Sequence, residues 1–138
     1  MKKHRAIVQT ILRQYADTQA VYLFGSWGTG DEWAHSDVDI AVLLPVRTAK
    51  NVDCEQWIGL ASEIGQALRR ENVDLINLRR VNTVFQKEII AANRRISCAD
   101  EAAADQFEML TLSLYQQLQA ERKEIIEDAV ASGRFRHA

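Results

Sequence analysis

The sequence predicts an α+β domain, on three observations. Short apolar runs at Ala20–Phe24, 37–44 and 73–78 have the length and residue types of strands. Before and between them, over 3–16 and 53–70, and again after Thr83, apolar residues recur at helical spacing. The chain then closes with one long helical stretch, about 101–132, stopped by Gly133.

Composition sets the outer bounds. The 138 residues suit a single domain, 1–138, large enough for a real core. With 47% apolar and 26% charged residues the chain is an ordinary globular protein. A formal charge of −2 argues against stable nucleic-acid binding through phosphate neutralisation, which needs a basic surface. Cys54 and Cys98 are far apart and lack metal-ligand spacing, so two reduced thiols are expected. The basic start MKKHRAIVQTIL is interrupted at Gln9 and Thr10, and no apolar run reaches membrane-spanning length. A cytoplasmic protein with no membrane contact is the expectation.

In chain order, Ile7, Val8, Ile11, Leu12 and Tyr15 form the apolar stripe of the first helix, which Asp17 and Thr18 end. Ala20–Phe24 is continuously apolar, so this strand should be central or covered on both faces. A glycine-rich loop follows, holding Gly25, Gly28 and Gly30, three of the six glycines. Trp27 and Trp33 sit in it; either indole can stack on a base or wall the loop against the core, and packing is the commoner role. The second strand spans 37–44 and stops at Pro45, which cannot donate to a ladder. A polar connection over 47–51 leads to a helix over 53–70 with Trp57, Ala61, Ile64 and Leu68 on its stripe. Gly59 and Gly65 should each weaken it by up to about 1 kcal/mol.

The third strand, VDLINL, carries Asp74. A lone charge in an apolar strand asks for a partner, or else faces solvent from a sheet edge. Arg79 and Arg80 close this strand and are weak candidates for phosphate or partner contact. The pairs Arg69 with Arg70 and Arg94 with Arg95 fall at expected helix C-termini, where positive charge complements the dipole. Thr83 and Gln86 have capping-box spacing ahead of a helix through Phe85, Ile89 and Ala92, and Arg95–Cys98 is a candidate fourth strand. The final helix has Phe107, Leu110, Leu114 and Leu118 as its seam, then Ile125, Ile126 and Val130. At 1.5 Å per residue it would be roughly 48 Å long, more than such a domain is wide. Its end should therefore project towards a partner, or kink back onto its own core.

The chemistry concentrates between Val21 and Leu44. Side chains alternate along a strand, so Asp37 and Asp39 share one face and Val38 and Ile40 the other. Adjacent carboxylates repel, and a hard divalent cation with oxygen ligands relieves that repulsion while keeping positions open for phosphate. Glycines just upstream let backbone N–H groups converge on an anion.

Gly25 and Ser26, then ten residues, then Asp37 and Asp39, make the GS-x10-DxD pattern, and in it the chain resembles the polymerase-β-like nucleotidyltransferases. Its short length resembles the minimal nucleotidyltransferases that serve as antitoxins of HEPN ribonuclease toxins. The resemblance implies a small mixed sheet backed by helices. It also implies two Mg2+ ions held by Asp37, Asp39 and Asp74, as the catalytic and metal-binding residues, with Gly25 and Ser26 holding the β- and γ-phosphates of ATP. The reaction implied is transfer of AMP to a hydroxyl, a tyrosine of the cognate HEPN toxin, which inactivates it. Relatives often read GSRARG at the turn; here it is GSWGTG, without either arginine. Two alternatives stand beside this reading: an antitoxin that neutralises by occlusion alone, and an antibiotic-type adenylyltransferase acting on a small molecule.

Overall fold

A computed structural model of the chain describes residues 2–29 and 37–131. The strands β1 (Ala20–Phe24), β2 (Val38–Leu43), β3 (Val73–Asn77) and β4 (Arg95–Cys98) form one sheet in the order β3-β2-β1-β4. β1 runs antiparallel to both β2 and β4, and β2 runs parallel to β3, so the sheet is mixed. β1 is central and its first four residues are buried, as its unbroken apolar character predicts.

Strand alternation sends two sets of side chains to opposite faces. Val21, Leu23, Val38, Ile40 and Val42 join Ile7 and Ile11 of α1 (Lys2–Gln14) and Leu60 and Ile64 of α3 (Cys54–Leu68) in one core. Ala20, Tyr22, Ala41 and Leu43 join Ile89 of α4 (Thr83–Ala91) and Ala104 and Phe107 of α5 (Glu101–Ala131) in the other. The architecture is thus helix, sheet, helix, with both sheet faces covered. Trp57, on the inner side of α3, donates its indole N–H to the Leu75 carbonyl on β3 at 2.9 Å.

Five local readings change. The stretch after Pro45, expected as a connection, is a short helix, α2 (Val46–Lys50). Proline suits the entry because its missing N–H is not needed there; the Pro45 carbonyl accepts from Ala49 N–H, and Ala49 is buried. The third strand ends at Asn77, and Leu78–Arg80 forms a 3-10 turn. Arg79 is therefore no phosphate ligand: it lies at the sheet end opposite Asp39. Its guanidinium donates to the Leu44 carbonyl and to Gln19 Oε1 (2.7 Å), and lies over the Phe107 ring. At the start of α4 the cap is Asn82, which accepts from Phe85 N–H at 2.8 Å, while Gln86 donates to the Leu78 carbonyl. Finally, only Ala104, Phe107 and Thr111 of the first part of α5 are buried; Leu110, Leu114 and Leu118 are exposed rather than forming a covered seam.

The two helical glycines of α3 also differ. A Cβ at Gly59 meets nothing within 4 Å, whereas one at Gly65 would come 2.7 Å from the Arg70 carbonyl oxygen. Gly59→Ala is expected to stabilise the chain by about 1 kcal/mol through helix propensity. Gly65→Ala should destabilise it, because the C-terminal turn through Arg69, in left-handed conformation, has no room to give. Thermal unfolding of both variants checks this; the same sign for the two would refute it.

Candidate active site

The carboxylates gather at the end of the sheet where β1 runs out and β2 and β3 begin. Asp39 is the register partner of Asp74 on the parallel neighbour and of Phe24 on β1. Asp37 precedes it by two residues on the same side of the pleat. Ligand atoms of Asp37, Asp39 and Asp74 all lie within 4.8 Å of one another. Parallel pairing in this register makes that inevitable: it sets Asp74 directly beside Asp39 on the same face. β3 is an edge strand and Asp74 is exposed, so this lone charge faces solvent from a sheet edge while lying beside Asp39.

The electrostatics carry the cost. Burial, followed by the neighbouring charges of Asp74 and Asp37, pushes the Asp39 carboxyl up to about 6. Three clustered carboxylates are suited to a divalent cation, which accepts oxygen ligands and offsets like charge. Beside them opens a polar cleft lined by Asp37, Glu71, Asn72, Val73 and Asp74. Glu71, read from the sequence only as part of a turn, is a residue of this cleft.

The glycine loop closes on the same point. Gly25 has φ +73°, and a Cβ there would lie 2.0 Å from Asp39 Oδ2. Only glycine lets this backbone sit against the carboxylate. Ser26 follows, and its carbonyl accepts from both the N–H (3.2 Å) and the hydroxyl (2.6 Å) of Thr29. Trp27 is buried in the core against His4, which answers one of the two roles open to it in favour of packing. Gly30 and Trp33 lie outside the described residues. His4 is held below its ordinary pKa, first by burial and then by nearby positive charge that includes Arg94.

One loop contact went unrecognised in the sequence. Arg94 donates to the Gly25 carbonyl at 3.0 Å and to the Trp27 carbonyl. Its neighbour Arg95 instead pairs with Glu108 (2.7 Å) and Asp105 (3.2 Å), and Glu108 also accepts from the Tyr22 hydroxyl. Neither arginine serves chiefly as a helix-dipole partner.

A mixed sheet with a glycine turn packed against three clustered carboxylates defines a nucleotidyltransferase core. Residues 7–102 match the polymerase beta nucleotidyltransferase family, and the chain belongs to it. Among its relatives is the protein adenylyltransferase MntA of Shewanella oneidensis, 34% identical over 126 residues, which span 91% of this chain and 86% of that protein. A toxin–antitoxin crystal structure with AMP-PNP superposes with a TM-score of 0.76 at 31% identity, over 92% of this chain and 98% of the other. A structure of tri-AMPylated Shewanella oneidensis HEPN toxin in complex with MNT antitoxin gives a TM-score of 0.72 at 30% identity, over 93% and 96%. The resemblance to the minimal nucleotidyltransferase antitoxins and the α+β fold read from the sequence both hold.

Proposed function

We propose that this chain is the antitoxin of a toxin–antitoxin pair, a single minimal domain that transfers AMP from ATP to a tyrosine hydroxyl of a cognate HEPN toxin in the cytoplasm. The observation that carries the proposal is the cluster of Asp37, Asp39 and Asp74 directly against Gly25. It is supported by the likeness to a protein adenylyltransferase and to antitoxins solved with a nucleotide analogue and with an AMPylated toxin.

Asp37, Asp39 and Asp74 would hold two Mg2+ ions, which when bound lower the pKa of the acceptor hydroxyl and neutralise charge on the departing pyrophosphate. The protein's own part is positioning. Gly25 and Ser26 hold the β- and γ-phosphates, fixing the α-phosphorus before the acceptor. The acceptor oxygen bonds to that phosphorus as the bond to the bridging oxygen breaks; pyrophosphate leaves and the hydroxyl proton passes to water. The test is intact-mass analysis of the partner toxin after incubation with this chain, Mg2+ and each nucleoside triphosphate in turn. An addition of AMP with ATP alone is expected, and no mass change with any nucleotide would sink the proposal.

Occlusion without chemistry is the competing account, favoured by the uncovered apolar residues of α5. At about 46 Å for its 31 residues, α5 outruns the core it starts on. Ile125 and Val130 are 67% and 63% exposed. Apolar residues left open in a row mark an interface. Dose separates the accounts: a catalyst protects at far below one copy per toxin when ATP is present, and an occluder does not. Truncation after Glu121 is expected to leave a folded chain, within roughly 2 °C of the parent's midpoint because Ala129 is the one buried residue among the described ones removed, that no longer co-purifies with the toxin. Unfolding on truncation would place the helix end in the core instead.

A further inference from the structure

Arg94 lies 69 residues from the glycine turn in sequence, yet two of its N–H groups end on that turn. It is itself anchored, since its carbonyl accepts from Leu23 N–H on β1 at 2.9 Å, just after Asn93 turns the chain with φ +56°. The loop is fitted to it from the other side: a Cβ at Gly28 would lie 2.9 Å from Arg94 Nη2.

Planar trans peptides convert these contacts into a direction. In a trans peptide the carbonyl and the following N–H point opposite ways, and the described residues contain no cis bond. The Gly25 and Trp27 carbonyls are drawn to the guanidinium, so the N–H groups of Ser26 and Gly28 point away from it. Among the described residues no acceptor pairs with either N–H, and no carboxylate pairs with Arg94. Two aligned donors and an unneutralised cation behind them are what an anion site requires.

We infer that Arg94 is the positioning residue of the nucleotide loop, its fork holding the Gly25 and Trp27 carbonyls so that the Ser26 and Gly28 N–H groups face the triphosphate, and that it brings to GSWGTG the positive charge this turn lacks. The inference rests on the proposed nucleotidyl transfer. Lysine cannot reproduce it, because a point charge on a flexible stem does not span two carbonyls as a planar fork does.

Calorimetric titration of Mg·ATP into wild type, Arg94→Lys and Arg94→Met, beside steady-state transfer to the toxin, tests it. The expected result for Arg94→Met is a rise in Kd and KM for ATP of about tenfold or more, the effect of one lost charge-assisted contact. The kcat at saturating ATP should stay within about threefold, since the carboxylates are untouched. Arg94→Lys should recover only part of the affinity, the part due to charge. A residue that merely stabilises the fold would lower the melting midpoint and the active fraction, and hence kcat, with KM unmoved; that pattern overturns the inference. So does full recovery by lysine, which would leave no role for the fork, and so does failure of wild type to bind Mg·ATP. Binding of Mg·ATP by wild type without transfer would overturn the proposed activity alone, and the Kd values would still decide the role of Arg94.

Discussion

Asp37→Ala with Asp39→Ala is expected to end AMP transfer, by on the order of 10³-fold or more, in a chain that still folds. Asp37 and Asp74 are exposed, and Asp39 is half-buried at the sheet's end, outside the two apolar cores. Asp39→Asn alone should stabilise the metal-free protein. Burial and two like charges raise the Asp39 pKa from 3.8 to about 6, so its neutral form is the comfortable one in the fold. The sign follows from proton counting. Below pH 3.8 the group is neutral in both states and its contribution is fully present; as pH rises to 6 and beyond the folded chain must give up a proton it prefers to keep, and that stability is lost. The gain on Asp39→Asn should therefore be near zero below pH 3.8, grow as pH rises towards 6, and level off above that at the order of 1 kcal/mol, solvent screening having been allowed for around a half-exposed group. Mg2+ should bind more weakly as pH falls through the same range, since the proton competes. Thermal unfolding in chelator across the pH range, with metal titrations, reads all of this. A gain independent of pH would remove the repulsion account, and a folded double variant that still transfers AMP would remove the site.

Gly25→Val should be nearly as damaging, by a different route. The new side chain would start 2.0 Å from Asp39 Oδ2 and 3.1 Å from its Cγ, on a backbone at φ +73°. Either the carboxylate swings out of the cluster or the loop retreats from it; both separate the phosphate donors from the metal ligands. The left-handed backbone alone costs a branched residue roughly 1–2 kcal/mol. A loss of about 100-fold or more in kcat/KM for ATP is expected, carried mainly by binding. Ser26→Ala leaves the backbone donors in place and should cost less than about tenfold. Normal Mg·ATP binding by a folded Gly25→Val chain would show that the loop is not a phosphate site.

Much of this was legible because it is written in local period. Ala20–Phe24 is a strand at the residues where unbroken apolar character put it, and the candidate strand Arg95–Cys98 is one as well. The two-residue spacing of Asp37 and Asp39 determined their common side. What escaped was whatever depends on a neighbour distant in sequence. Arg94 and Arg79 are both arginines near an element's end, and nothing local tells one that braces carbonyls across the fold from one that is solvated. The α5 seam failed for a related reason: Leu110, Leu114 and Leu118 repeat at helical period, but period does not reveal where the covering layer stops. Pro45 was read as a stop and is also a start, the carbonyl of the residue that ends β2 serving the first turn of α2.

Among the described residues the strand that carries Asp74 has one neighbouring strand, so its other rim offers backbone groups for pairing with an extended peptide. Trp57 occupies one of the acceptors on that rim, the Leu75 carbonyl, one residue along from Asp74. For an enzyme whose substrate is another protein this matters. A bare rim beside the clustered carboxylates would recruit unstructured segments by strand addition, indifferent to sequence. With the indole in place, a strand added along β3 would lose the Leu75 carbonyl as an acceptor.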